Sequence, residues 1–592
     1  MFHSNQIVMK RNIQKIALLA VAVVMLYACK KGDDYLDPKV SNDLTADAVF
    51  QDSANTVNFL HRIYYDIGFT FQMSDGYQGL SRYAAGGHMV TGNEASPQRY
   101  NGAQNTAPLM ALGNLTAEVV VAGVVENWNV PWQNIRRSNL LMSRINESPI
   151  SAPRKKYMIA QARFLRAWYY FLLVRTYGGM PLIGDKVFDI ADEIDIPRNT
   201  FEECVNYITS ELDAAAQDLP PVETQLAEDY GKATKGAALA VKARMLLYAA
   251  SPLFNGGSTS TDPVLKALTS YPTYDKERWN KALQAMEAVK NLGIYQLYVD
   301  NTTRKGYGYY RTFQIRYNME YILAKMEGRN TTLESWLRVP SLGDGYRAVP
   351  TERMVRSYFM KNGLPIDDPN SLYDPANPYS NRDPRFYNSI IYNGADWFNT
   401  SNAKVKIWTH VGATTADAMP ASGGVATGYF IRKMLNEDGT GQTERCWPLL
   451  RYAEILLGYA EAKNEYSGPV SDVYDALKQI RVRAGIDAGV DDSYGLKPNM
   501  TTEEMRKVIQ DEYKIELAFE EHRMWDVRRW KTAEVELNYP AEATYITKNA
   551  NGTFNYSTVI RYNYLFNKRF YLFPITSLEI GRSPALVQNP GW

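Results

Sequence analysis

The densest run of reactive side chains is Glu516, Glu520, Glu521, His522 and Arg523. A spacing of four puts Glu516 and Glu520 on one helix face. Paired carboxylates invite acid–base work on a glycosidic bond, and the adjacent His invites a metal. A glycosidase pair must flank the scissile bond at roughly 5 to 10 Å in an open cleft, which neighbours on one packed helix do not do. The spacing therefore predicts a structural ion-pair network. Arg163, Arg166 and Arg175 in one aromatic helix, and Glu454 and Glu461 in another, read the same way. Charges flanking an apolar stripe pair between packed helices or extend to water. Five His and three Cys offer little material for zinc, and no HExxH occurs. Cys204 and Cys446 make neither a metal spacing nor a disulfide framework, although one long-range bridge between them stays open. Gly86-Gly87, Gly256-Gly257 and Gly423-Gly424 stand in no GxGxxG or P-loop context and read as turns. No catalytic residue, metal or cofactor is assigned.

What remains is recognition chemistry. The chain carries 42 Tyr and 11 Trp, rings that must be buried or exposed for a reason. Aromatic faces stack on pyranose C–H surfaces while Asn, Asp and Arg hydrogen-bond the hydroxyls. Three loop regions gather these types. Gly76 to Gly102 holds Arg82, Tyr83, Asn93, Tyr100 and Asn101, with His88 and Glu94 among them. Arg329 to Tyr346 holds Trp336 and Tyr346, and a third region holds Trp397 and Trp408. These nine positions are the candidate ligand contacts, each in competition with a simple packing role. A peptide ligand would instead call on backbone hydrogen bonds and charged side chains.

Such loops need a rigid base. Apolar residues recurring at three and four predict helices over Val130 to Ile145, Ala160 to Tyr177, Phe201 to Leu219, Gly236 to Ala250 and Trp279 to Leu292. Others are expected over Leu449 to Glu465, Val473 to Ala484 and Thr502 to Lys531. They fall in pairs rich in Ala, Tyr and Leu, which predicts a mainly α fold of about four tetratricopeptide-like hairpins. Ile322 to Ala324 and Lys404 to Trp408 read as short strands, and Gln72 to Leu112 as loop. Residues 40–295 and 447–531 are the expected scaffold, and 296–446 a loop-rich, ligand-facing insertion within a single body spanning 29–592. With 65 Lys+Arg against 64 Asp+Glu, the net charge of +1 gives no argument for nucleic acid.

The N-terminus reads as an address. Lys10, Arg11 and Lys15 precede eleven apolar residues, Ile16 to Leu26, and then Tyr27-Ala28-Cys29. This is the layout of a secretory signal over residues 1–28, too short to span a bilayer. Leu26-Tyr27-Ala28-Cys29 resembles a bacterial lipobox, which makes Cys29 the expected lipidation site and membrane anchor.

Several segments together resemble the SusD/RagB family of Bacteroidetes nutrient-binding lipoproteins. They are Ala162-Arg163-Phe164-Leu165-Arg166-Ala167-Trp168-Tyr169-Tyr170-Phe171 continuing to Gly178-Gly179-Met180-Pro181, Leu450-Arg451-Tyr452-Ala453-Glu454, and Glu516 to Glu520 with Trp525-Asp526-Val527-Arg528-Arg529-Trp530. Asn381-Arg382-Asp383-Pro384-Arg385 and the ending Gln588-Asn589-Pro590-Gly591-Trp592 complete the ordered set. The resemblance implies a non-enzymatic, outer-membrane protein that captures a glycan, or less often a peptide. Its implied partner is a SusC-like TonB-dependent barrel, which the lipoprotein covers like a lid. A glycosidase and a purely structural helical adaptor are the competing readings. In Cys29→Ala, palmitate labelling should vanish and the protein should leave the membrane fraction; retention there would refute the anchor.

Overall fold

The computed structural model describes residues 45–69, 87–97, 106–118, 122–189, 191–343, 348–399, 401–420, 427–437 and 443–592. Cys29 and the expected signal segment, residues 1–28, lie outside them. The scaffold comprises α1 (Ser53–Tyr65), α2 (Ala122–Arg144), α3 (Ala152–Tyr177), α4 (Phe201–Asp218), α5 (Lys235–Ala250) and α6 (Glu277–Lys290). It continues with α7 (Tyr452–Ser467), α8 (Ser471–Ala484), α9 (Thr502–Glu516) and α10 (Arg523–Arg529). From α2 to α8 each helix packs on the next, and α7 also meets α9. The hairpins are α2/α3, α4/α5, α6/α7 and α8/α9, and residues 291–451 loop out between the arms of the third. The fold is mainly α, as expected.

Local chemistry explains the boundaries. Thr200 and Glu203 start α4 with reciprocal side-chain-to-backbone hydrogen bonds, and Thr501 and Glu504 do the same for α9. After α3 the chain turns at Gly178, φ +83°, and at Gly179 an added Cβ would sit 2.1 Å from the Asn199 carbonyl oxygen. Small residues set the helix separations: α5 buries Ala237, Ala238, Ala240 and Ala243. In α7, a Cβ on Gly458 would lie 2.5 Å from Met286 of α6. Rings fill the wider gaps edge to face, with Trp128 on Tyr177 at 5.5 Å, Tyr170 on Tyr207 at 5.2 Å and Phe171 on Tyr248 at 5.5 Å.

Strands β1 (Tyr321–Asn330), β2 (Ala395–Phe398), β3 (Lys404–Ile407) and β4 (Thr443–Arg451) lie between α6 and α7. β1 pairs antiparallel with β4, Leu323 opposite Leu450, and β2 with β3, Trp397 opposite Val405. A hairpin of β5 (Ala541–Lys548) and β6 (Phe554–Tyr562) follows α10. Three expectations are corrected. Leu449 to Arg451 belong to β4, so α7 begins only at Tyr452. The region expected as loop from Gln72 contains the short helices Gly87–Thr91 and Thr106–Ala111 and the strand Ala95–Pro97. The helix expected over Thr502 to Lys531 breaks after Glu516, because Phe519 and Glu521 take φ of +62° and +65°. Buried Lys433 donates to the freed carbonyls of Glu516 and Ala518 at 3.0 and 2.8 Å, and Arg451 donates to the Glu516 carbonyl at 2.9 Å.

Those cations belong to one buried charge network. Arg385 reaches Asp383, Glu512 and Glu516 at 2.8, 2.6 and 3.1 Å. Arg451 reaches Glu320, Glu516 and Glu520 at 2.7, 2.8 and 2.7 Å. Arg483 pairs with Glu320 at 2.9 Å and with Glu516, Arg481 with Glu512 at 2.8 Å, and Lys433 with Glu520 at 2.6 Å. Burial pushes the Glu516 carboxyl up, but Arg483, Arg451 and Arg385 outweigh it and hold the group at about 2. A carboxyl held below its ordinary 4.5 contributes stability above that pH and loses it as pH falls toward 2. Thermal midpoints should therefore drop from pH 5 to pH 3, and the drop should shrink in Glu516→Gln. That variant takes one shared carboxylate from Arg385, Arg451 and Arg483, which keep their other partners, and should lose about 3–5 kcal/mol in urea unfolding; an unchanged midpoint would refute a central place for Glu516 in the network.

Candidate functional site

The insertion and the last hairpin meet in a cluster of half-buried rings. Trp408, just past β3, stacks on Phe554 at the start of β6, with centroids 5.9 Å apart and planes at 27°. His410 packs edge-on to Trp408 at 5.7 Å and against Phe554 at 5.1 Å. Burial, assisted by Lys548, pushes the His410 imidazole below its ordinary value and so favours the neutral ring. Asn393 fixes the turn by accepting from the backbone N–H groups of Thr409 and His410 at 3.0 and 3.1 Å. Gly394, at φ +84°, lets the Trp408 ring lie over the backbone, where an added Cβ would be 3.2 Å from it.

Beside these rings, Tyr379 packs on Tyr392 at 4.7 Å and edge-on to Tyr556 at 5.5 Å, and Tyr387 lies 6.1 Å from Tyr392. The hydroxyls of Tyr387 and Tyr379 are tied inward. Tyr387 donates to the Tyr379 carbonyl at 2.7 Å, and the Tyr379 hydroxyl donates to that of Tyr429 at 3.3 Å. Tyr429 in turn donates to buried Glu352 at 2.6 Å. Such pinned rings offer flat apolar faces at low entropy cost, which suits stacking on sugar C–H surfaces.

The candidate residues meet different fates. Arg82, Tyr83, Tyr100, Asn101 and Tyr346 lie outside the described residues. Trp336 sits on the short helix Thr332–Leu337. Asn93 is 4% exposed, at φ +56°, and its amide donates to the Tyr539 carbonyl at 3.1 Å. Trp397 is 5% exposed, its ring under the Arg432 guanidinium at 5.1 Å, because strand alternation turns it inward. His88 and Glu94 are likewise in the interior, with Glu94 accepting from Phe519 N–H at 2.9 Å and raised by burial to about 7. Trp408 alone of the nine is a described, half-buried ring in the cluster. Phe554, Tyr556 and His410 escaped the sequence reading, although Phe554-Asn555-Tyr556-Ser557 alternates after the turn-forming Asn549-Ala550-Asn551-Gly552.

The sequence-level ion pairs also find partners. Glu454 pairs with Arg244, Glu461 with Arg529 at 2.6 Å, and Arg166 with Glu211 at 2.6 Å. Arg175 lies 4.0 Å from the Trp525 ring centroid. Glu516 and Glu520 are buried in the arginine network rather than facing a cleft. Cys204 and Cys446 are buried and free, which closes the question of a bridge between them. Among the described residues no group of His, Cys, Asp and Glu is placed to hold a metal, and no helix is long and apolar enough to cross a membrane.

Residues 293–592 match the SusD family, and residues 34–247 match a family described as starch-binding, associating with the outer membrane. The chain belongs to the SusD family. A SusD-like protein P2 of Formosa agariphila is 24% identical over 447 residues, 73% of this chain and 74% of that protein. A SusD-like protein from Bacteroides fragilis superposes with a TM-score of 0.72 at 25% identity, over 92% of this chain and 98% of that one. A SusD-like carbohydrate-binding protein of the same species gives 0.70 at 23% identity, over 91% and 100%.

Gly394→Ala should force φ out of the left-handed region or strain it there, at about 1–2 kcal/mol, and displace Trp408. A lowered thermal midpoint with altered near-ultraviolet circular dichroism is expected; an unchanged spectrum would refute the positioning role.

Proposed function

We propose that this protein is a surface-exposed, Cys29-anchored lipoprotein that captures oligo- or polysaccharide and passes it to a SusC-like TonB-dependent barrel. The observation that carries this reading is the match of residues 34–247 to a family described as starch-binding and associating with the outer membrane. The relative from Bacteroides fragilis whose description is carbohydrate-binding supports the ligand class. The Trp408–Phe554 stack with its neighbouring tyrosines supports a sugar-stacking face, and the buried, paired state of Glu516 and Glu520 argues against those carboxylates acting in hydrolysis.

Affinity electrophoresis in a panel of soluble polysaccharides, with protein truncated after Cys29, tests the reading. Retardation by one polysaccharide class is expected. Trp408→Ala should then weaken binding by about 0.5–1.5 kcal/mol, the worth of one stacked ring, with little change in melting temperature. No retardation by any polysaccharide, together with calorimetric binding of oligopeptides, would transfer the uptake role to peptides.

A further inference from the structure

A cavity of about 300 Å³ opens between α9, the segment after α10 and the short helix Glu352–Ser357. Its floor is the buried pair Phe359 and Trp530. Its walls are charged: Arg353, Arg356, Lys507, Lys514 and Arg523 face Asp367, Asp511, Glu536 and Glu542. Five cations against four carboxylates leave one positive charge in excess.

Among the described residues, the ion pairs crowd two guanidinium groups onto one carboxylate and leave Lys514 and Glu542 outside them. Arg353 and Arg523 share the Glu536 carboxylate at 2.8 and 2.7 Å, Arg356 takes Asp367 at 2.9 Å, and Lys507 takes Asp511. Lys514 has no carboxylate within ion-pair distance among the described residues. Burial, reinforced by Arg523 and Arg353, pulls the Lys514 ammonium down to about 7, against the opposing influence of Glu536 and Asp511. Arg523 commits one terminal nitrogen to Glu536 and keeps further N–H donors. At the rim stands Tyr539, with Arg353 over its ring at 3.7 Å and 47% of the residue exposed. The Asn93 amide holds its backbone.

A half-buried ammonium outside any ion pair, lining a cavity with two guanidinium groups that share one carboxylate, makes a positively charged recess. A planar ring at its mouth adds an apolar platform. We infer that this cavity is a subsite for an acidic sugar residue, in which Lys514, Arg353 and Arg523 take a carboxylate or sulfate ester and Tyr539 takes the pyranose face. The inference rests on the glycan-capture reading and narrows its substrate class to anionic glycans. Glu542 lies on β5 at the cavity, and Lys548, six residues on, pairs with Phe554 of the ring cluster. At 3.3 Å per residue the two places are about 20 Å apart along one hairpin, so a single extended chain of sugars can reach both.

Anion binding favours the charged ammonium, so above pH 7 each ligand bound brings a proton to Lys514. Affinity should then fall by up to about tenfold per pH unit between pH 7 and 9. Calorimetry on protein truncated after Cys29 can use an oligogalacturonate, a sulfated oligosaccharide, a neutral oligosaccharide of equal length and inorganic sulfate. The expected result is that one acidic oligosaccharide binds at least tenfold tighter than the neutral one. That advantage and its pH dependence should be lost in Lys514→Met, and the affinity weakened in Tyr539→Ala, both at unchanged melting temperature. Equal binding of acidic and neutral oligosaccharides would overturn the subsite while leaving glycan capture intact, whereas no binding of any oligosaccharide would overturn both. Inorganic sulfate binding as tightly as the sulfated oligosaccharide, in a Lys514-dependent way, would make this a site for free anions and refute the sugar assignment.

Discussion

Four buried arginines and their carboxylates set the terms for everything else in this molecule. Arg385 comes from the insertion, Arg451 from the end of β4, and Arg481 and Arg483 from α8. Their shared partners Glu512 and Glu516 sit one turn apart on α9. No single member can be neutralised alone without leaving its partners charged in a medium that solvates charge poorly. The network therefore couples the insertion to the helical scaffold, and by holding the carbonyls at the end of α9 it also dictates where that helix stops. The turn that follows carries left-handed Phe519 and Glu521, a conformation that the surrounding cations over-determine. Lys514, in the last turn of α9, and Arg523, at the start of α10, reach the charged cavity from either side of that turn.

The helical scaffold was legible because periodicity at three and four is a local property. Phe164, Leu165, Trp168, Phe171 and Leu172 mark one helix without reference to any other segment, and Gly178-Gly179 end it for a local steric reason. Where tertiary interactions override local preference, the reading failed. Nothing local in Leu517 to His522 announces a break, since the residues that stabilise it, Lys433 and Arg451, lie more than sixty positions away. The start of α7 was misplaced for a related reason: Leu449 and Leu450 fit a helical stripe, but β1 recruits them as strand.

The ring cluster was legible only in part. Composition and texture pointed to the insertion as the place where aromatic and polar residues gather, and Trp408 was named from it. Its partners were not, because Phe554 lies some 150 residues further along and meets Trp408 only through the fold. The inward turn of Trp397 shows the limit of reading residue types without register. One strand position of difference separates a ring facing Arg432 from one facing solvent.

The third helical hairpin has a kinetic consequence. Its arms, α6 and α7, are joined through residues 291–451, whereas the connections from α2 through α6 run over residues 145–151, 178–200, 219–234 and 251–276 and close far smaller loops. Loop-closure entropy grows only logarithmically, so a loop roughly eight times longer than a 20-residue connection adds about 2 kcal/mol to the search. The same closure brings together β1 with β4 and the buried arginines with their carboxylates, so the α6–α7 contact shares its loop-closure cost with those interactions. A folding chain would thus hold a nascent N-terminal helical stack with an open apolar edge until its C-terminal half arrives. In that interval the faces of α5 and α6 that α7 later covers, rich in Ala, Leu and Met, have no partner.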